Sequence, residues 1–218
     1  MKRIVVIGLG NFGSAVADTL AGKGHDVIAV DRNQEAVDRI ANRVARAVVG
    51  DGTEPEILRD VGAGGADVAV ISTGDDITAS ILAVLAAQDL RISDIYVKVI
   101  STPHARAVEK LGVTETIFPE RDTGKRLAES LGSAAVLNYI PLSPGFSVQE
   151  MAVPEQWIGK SLRQLDLRNS RRVSVVAVHD MLRDEVTGVP DPDAPLKESD
   201  TLFLAGAVDT LARISRLK

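Results

Sequence analysis

The stretch Lys2-Arg-Ile-Val-Val-Ile-Gly8-Leu9-Gly10-Asn11-Phe12-Gly13 runs an apolar, β-branched segment straight into G-x-G-x-x-G, and a second apolar run, Asp26-Val-Ile-Ala-Val30, ends on Asp31. A segment of helical character lies between them. Strand, glycine turn, helix, strand and acid in that order form the fingerprint of an adenine-nucleotide site. The three glycines serve different ends. Gly8 permits the tight turn, Gly10 lets the backbone approach a phosphate, and Gly13 lets the helix pack on the strand. The N–H groups that open the helix then face an anion. Asp31, about 20 residues past the turn, is positioned to accept both ribose hydroxyls, or else it is a strand-end turn residue. A carboxylate there repels a 2′-phosphate and disfavours NADP. Arg32 beside it softens that exclusion, because a guanidinium pairs with phosphate.

The alternation continues along the chain. Strands are predicted over 45–49, 67–71, 95–99 and 116–118, and helices over 33–42, 54–61, 75–89 and 102–111. The links are short and carry start signals, with Thr53 as an N-cap candidate and Pro55 in the first turn. Strands alternating with helices imply a doubly wound parallel sheet of the Rossmann type. Two further loops fall on the ligand edge of that sheet. In Gly50-Asp51-Gly-Thr53, Asp51 either accepts from an adenine amino group or caps the next helix. Ser72-Thr73-Gly74-Asp-Asp76 is either a polar ligand loop or an ordinary helix start.

A long helix is predicted over 120–137, with Leu127, Leu131, Ala134 and Ala135 along one stripe among small residues such as Ala128, Ser130, Gly132 and Ser133. It reads as a crossover or dimer-contact element, or as a helix packed on its own sheet. The turn-rich run from Tyr139 to Gly145 marks the expected boundary between a nucleotide-binding domain over 1–138 and a lobe over 139–218. Strands at 146–153, 173–179 and 201–204, a loop from Pro190 to Pro195 and a closing helix at 211–217 make that lobe small and α+β. The expected fold class is α/β: a Rossmann doubly wound sheet with a small C-terminal α+β lobe.

Composition narrows the function. Among the 218 residues there is no cysteine, which excludes disulfides, thiolate metal sites and cysteine nucleophiles. A net charge of −5 and only 3% aromatic residues argue against nucleic acid as a partner. No apolar run approaches the roughly 20 residues of a membrane span, and no signal-peptide pattern is present, so a cytoplasmic location is expected. His25, His104 and His179 are scattered, and His104 is expected to cap a helix or lie on the surface. A dehydrogenase needs a general acid–base and a pocket for a second substrate, and the small lobe suggests neither. The expectation is a sensor, not an enzyme; the competing expectation is an NAD-dependent oxidoreductase or an NAD(H) redox sensor.

The segments G-L-G-N-F-G-S-A-V-A, A-V-D-R-N, G-D-G-T-E-P-E, I-F-P-E-R-D-T-G-K-R-L-A and V-L-N-Y-I resemble the regulatory subunits of bacterial Trk/Ktr potassium transporters, built on RCK (regulator of potassium conductance) domains. The resemblance covers essentially the whole chain, with a TrkA-C-type lobe from about Phe146. It implies a cytosolic ring of homodimers, typically an octamer, that docks on a membrane potassium-translocating subunit of the Ktr or Trk type at the inner face of the membrane. It implies ATP or ADP, with NAD(H) as the alternative, at the glycine turn. Gly8, Gly10 and Gly13 would then serve the phosphates, Asp31 and Asn33 fall on the ribose or adenosine positions, and Asp51 and Thr53 lie near the adenine; Asn11, Phe12, Arg32, Ser72, Thr73 and Gly74 complete the expected cofactor-binding residues. Glu120 matches a glutamate that helps hold Mg²⁺ or another cation beside the phosphates, although it also suits a helix N-terminus. Asn11 stands where these regulators typically carry a phosphate-binding arginine. In the C-terminal lobe, the stretch from Leu165 to Val178, with Arg168, and the Pro190 loop correspond to a cyclic di-AMP site of some relatives.

Overall fold

The structure, a computed structural model, describes residues 1–131 and 136–217. Two compact units divide the chain, Met1–Glu120 and Arg121–Lys218.

The first unit is built on six strands: β1 (Arg3–Ile7), β2 (Asp26–Asp31), β3 (Arg46–Val49), β4 (Val68–Ile71), β5 (Asp94–Lys98) and β6 (Glu115–Ile117). All pairings are parallel and the order is β3-β2-β1-β4-β5-β6, which places a topological switch point between β1 and β4. The linking helices are α1 (Asn11–Gly22), α2 (Gln34–Ile40), α3 (Pro55–Asp60), α4 (Ile77–Asp89) and α5 (Thr102–Lys110), and α6 (Pro119–Leu131) follows β6. Parallel strands buried on both faces need apolar residues at successive positions, and β1 and β2 supply them in Ile4–Ile7 and Val27–Val30. Alternate residues then feed two cores. Val5, Ile7, Ile71 and Val97 pack with Leu58 of α3, Val84 of α4 and Val108 of α5. Ile4, Val6 and Val70 pack with Ala17 of α1 and Val37 and Ile40 of α2. Each fully buried Val or Ile contributes about 1.5–3 kcal/mol.

Caps explain several helix starts. Asn33 accepts from the N–H groups of Glu35 and Ala36, and Asp76 from Ala79 N at 2.8 Å. Helix α3 starts one residue later than expected: Glu54 is its N-cap position and Pro55 opens it. His104 corrects its expected surface or capping role. Ser101 caps α5, and the imidazole turns inward to 1% exposure with Nε2 3.0 Å from Ser80 Oγ on α4.

The second unit carries an antiparallel sheet of order β10-β9-β11-β8-β7, formed by β7 (Val136–Ser143), β8 (Phe146–Ala152), β9 (Ser174–Asp180), β10 (Glu185–Thr187) and β11 (Asp200–Ala207). Its helices are α7 (Leu162–Leu165), α8 (Leu167–Arg171) and α9 (Val208–Ile214), and its core gathers Met151, Trp157, Leu202, Leu204 and Leu211. The long helix expected over 120–137 is corrected here. α6 is described as far as Leu131, Val136 and Leu137 belong to β7, and residues 132–135 lie outside the described residues. The stretch read as a linker is also a strand, closed by a turn at Pro144-Gly145. Pro141 is compatible with it because β7 is an edge strand, where a missing N–H breaks no inner ladder.

A buried carboxylate organises one end of this sheet. Glu150, 5% exposed, accepts from Thr201 Oγ1 at 2.7 Å and Asn138 Nδ2 at 3.1 Å, and its Oε1 lies 3.0 Å from His179 Nδ1. Asp184 sits 3.2 Å from the other ring nitrogen. The Glu150 hydrogen bond, with help from Asp184 and against desolvation, holds the His179 pKa above the usual imidazole value. The contribution of His179 to stability is therefore complete below the unfolded imidazole pKa of about 6.5 and is lost as pH rises through the raised folded value. Trp157, the only tryptophan, lies in this unit's core and reports on it by fluorescence. Chemical unfolding followed at Trp157 should show this unit losing stability as pH rises from about 6.5 through that raised value, and levelling off above it. His179→Gln should flatten the dependence, and an unchanged slope would assign it elsewhere.

Candidate nucleotide site at the switch point

The carboxyl ends of β1, β2, β3 and β4 surround a cleft of about 290 Å³. After β1, the wall is Gly8 and Gly10. Gly8 adopts φ +93°, and a Cβ there would stand 2.1 Å from the Ser72 carbonyl oxygen, so only glycine fits. Gly13 is inside α1, not on the wall, and a Cβ on it would lie 1.9 Å from the Gly8 carbonyl oxygen. The bare Cα at that position is what lets α1 start flush against the turn. Asn11 is exposed on the first turn of α1, and Phe12 packs with the α1–α2 core. No side chain caps α1, which leaves its first N–H groups facing the turn.

Asp31 ends β2 and Arg32 follows it. Asp31 ties two segments together: its Oδ2 accepts from Leu9 N at 2.5 Å and its Oδ1 from Asn33 N at 2.8 Å. A carboxylate has about four acceptor positions, so two remain for hydroxyl donors. Asn33 is engaged in capping α2 and does not line the cleft.

After β3, Asp51 and Thr53 line the cleft with Gly50 and Gly52. Asp51 is not the cap of α3. Its Oδ1 accepts from Thr53 N at 3.0 Å and Thr53 Oγ1 at 2.6 Å, and its Oδ2 from Arg32 at 2.7 Å. Burial pushes the Asp51 pKa up, but the Thr53 and Arg32 contacts outweigh it and leave the carboxyl below its usual range. Arg32 is thereby drawn onto Asp51 instead of standing free beside Asp31. Both partners are partly exposed, so the pair orients more than it stabilises.

After β4, Ser72, Thr73 and Gly74 line the cleft, while Asp76 lines it and caps α4 at once. Asp76, Gly50, Gly52, Ile7, Val30 and Ala79 are wall residues not singled out as ligand contacts from sequence. For Gly52 the reason is packing: a Cβ would meet Ile7 Cγ2 at 2.3 Å, so the loop lies directly on the floor of the cleft.

Glu120 is elsewhere. It lies in the first turn of α6, and its Oε1 is 2.6 Å from Lys98 Nζ at the end of β5. That hydrogen bond lowers the Glu120 pKa. A lone carboxylate already neutralised by an ammonium is a poor cation ligand. Among the described residues no group of three or more His, Asp or Glu side chains is arranged to hold a metal ion. In the single chain Glu120 is thus engaged by Lys98, and no metal is invoked below. In the second unit Arg168 is exposed on α8, and Arg171 lies 5.9 Å from the centre of the Trp157 ring. Among the described residues no helix is long and apolar enough to cross a membrane.

Comparison with known proteins bears on this architecture. Residues 4–119 match the TrkA-N domain and residues 148–218 the TrkA-C domain. The chain is 34% identical to Ktr system potassium uptake protein A of Vibrio alginolyticus over 211 residues, covering 97% of this chain and 95% of that one. It is 31% identical to Ktr system potassium uptake protein C of Bacillus subtilis over 215 residues, covering 99% and 96%. Among solved structures, the GsuK channel superposes with a TM-score of 0.70 at 20% identity, over 99% of this chain and 39% of the channel chain. The GsuK channel bound to NAD superposes with a TM-score of 0.55 at 24% identity, over 99% and 38%. These two likenesses concern the fold.

Proposed function

The chain belongs to the family that joins a TrkA-N domain to a TrkA-C domain, as the Ktr potassium uptake proteins do, and from that premise we propose that it is a nucleotide-sensing regulatory subunit of a potassium uptake system. The observation that carries the reading is the cleft at the switch point, where the glycine turn, the uncapped start of α1 and the doubly anchored Asp31 converge. An adenine nucleotide would place its ribose on Asp31 and its phosphates on the α1 N–H groups. ADP, ATP and NAD(H) share those two features. That GsuK has been solved bound to NAD supports a nucleotide of this class.

Among the described residues no histidine lines the cleft, and His104 is turned into the core, so the wall offers no imidazole for hydride chemistry. Sensing requires that the ligand prefer one conformation, by about 1–3 kcal/mol in typical allosteric coupling. The partner in this reading is a membrane potassium-translocating subunit, with copies of the chain forming dimers and a ring. Exposed Leu82 and Leu85 on α4 support a contact between copies, since adjacent apolar side chains on an outer helix face favour burial.

Thermal unfolding with ADP, ATP, NADH and NAD tests the reading. A ligand at 100 times its dissociation constant adds about 2.7 kcal/mol, which raises the midpoint of a chain this size by several degrees. NADPH is expected to stabilise least, because Asp31 repels its 2′-phosphate and Arg32 is held by Asp51. A chain unmoved by all five nucleotides would overturn the proposal. Turnover of a hydroxy acid, aldehyde or ketone with NAD(H) would replace it with an enzyme.

A further inference from the structure

The cleft wall carries three carboxylates, Asp31, Asp51 and Asp76, against one guanidinium, Arg32, already engaged by Asp51. A polyphosphate entering there needs positive charge from its other side. The start of α1 supplies a partial charge, and Asn11 adds none. The sheet itself brings a cation to that edge. Ile7 pairs with Ile71 and Ile71 with Val97, so Lys98 stands one step further, level with Ser72 and Gly8. Two inter-strand spacings put it about 10 Å from the glycine turn. Ile95 and Val97 face the core of α3, α4 and α5, whereas Tyr96 packs with the core of α1 and α2. Alternation therefore puts Lys98 on the face where α1 begins. The Lys98 side chain is only 14% exposed and its Nζ is held by Glu120, which is 69% exposed.

We propose that Lys98 reads the terminal phosphate of a nucleoside triphosphate in this site, and that Glu120 holds Lys98 when that phosphate is absent. The inference rests on the nucleotide-binding reading above. A phosphate dianion attracts a largely enclosed ammonium more strongly than a solvated carboxylate does. Once released, Glu120 stays in the first turn of α6, where a negative charge is favoured. The length of the phosphate chain thus decides what the first turn of α6 is tied to. That helix starts in the first unit and continues into residues of the second.

Titration of the full chain with ATP and with ADP, in EDTA and again in Mg²⁺, tests this on wild type, Lys98→Met and Glu120→Gln. Lys98→Met keeps the aliphatic stem, and the Glu120 it leaves behind is solvated, so folding is expected to persist and is checked by the thermal midpoint. ATP should bind wild type more tightly than ADP, and Lys98→Met should weaken ATP about tenfold or more while moving ADP less than threefold. Glu120→Gln should tighten ATP severalfold in EDTA. Equal losses for both nucleotides in Lys98→Met, no loss for either, or weaker ATP binding by Glu120→Gln in EDTA would overturn the role of Lys98. A wild type that binds neither nucleotide would overturn the nucleotide reading itself, and this role with it.

Discussion

Gly13→Ala is expected to abolish nucleotide-induced stabilisation and to lower the thermal midpoint by roughly 10 °C. The added Cβ would stand 1.9 Å from the Gly8 carbonyl oxygen, a backbone atom that cannot rotate aside. Either α1 lifts from the turn or the turn itself moves, and Gly8 has no room to move because Ser72 closes its other side. Overpacking of this kind costs about 1–3 kcal/mol, occasionally more, and each kcal/mol is worth several degrees here. Gly22→Ala is the matched control. It lies at the end of the same helix with nothing within 4 Å of its added Cβ, and it should be neutral or stabilising by up to about 1 kcal/mol. Circular dichroism melts with and without ADP compare the two. A Gly13→Ala protein that still binds ADP normally would remove the phosphate role from the glycine turn.

Asp31→Ala is expected to raise the nucleotide dissociation constant about 100-fold or more, since two charge-assisted hydrogen bonds to ribose hydroxyls are lost at about 1.5–3 kcal/mol each. The same change removes the side-chain anchors on Leu9 N and Asn33 N, so even without ligand the glycine turn is tied to the end of β2 only by the backbone bond from Gly8 N to Val30 O. Asp31→Asn separates the two effects. The amide oxygen replaces one acceptor and keeps much of the local geometry, but it presents an N–H₂ to the other donor. Its affinity should fall between wild type and Asp31→Ala. Calorimetric titration with ADP reads the difference directly, and wild-type affinity in Asp31→Ala would move the ribose elsewhere in the cleft.

Much of the first unit was legible because its strands bury both faces: Ile4–Ile7 and Val27–Val30 are continuous apolar runs, and glycine or acid punctuates their ends. The nine expected ligand residues that line the cleft all end or follow β1 to β4, so reading the strands located the loops. The remaining expected contacts, Asn11, Phe12, Gly13, Asn33 and Glu120, shape or cap the neighbouring helices or pair elsewhere. Spacing along a chain shows which loop a residue belongs to, but not which way its side chain turns. His104 illustrates this: its helix start was evident, but its inward rotamer depends on Ser80, 24 positions away. The second unit was less legible. Pro141 and Pro144 hid β7, since proline signals a break unless the strand is known to be an edge. β10 is only Glu185-Val186-Thr187, all exposed, and one apolar residue among three is too short to register as an alternation.

The rims of the two sheets limit how copies of this chain can join. β3 has four residues, while β6 and β10 have three each, too short to template a neighbouring strand. β7 is longer, but Pro141 removes a donor and its ladder shifts register twice. Among the described residues no rim offers an unbroken row of free backbone groups. Pairing between copies through these rims is disfavoured, and a side-chain seam, unlike a backbone ladder, can slide or rock without breaking backbone hydrogen bonds. A continuous intermolecular sheet would lock one geometry, and the described rims do not favour such a sheet.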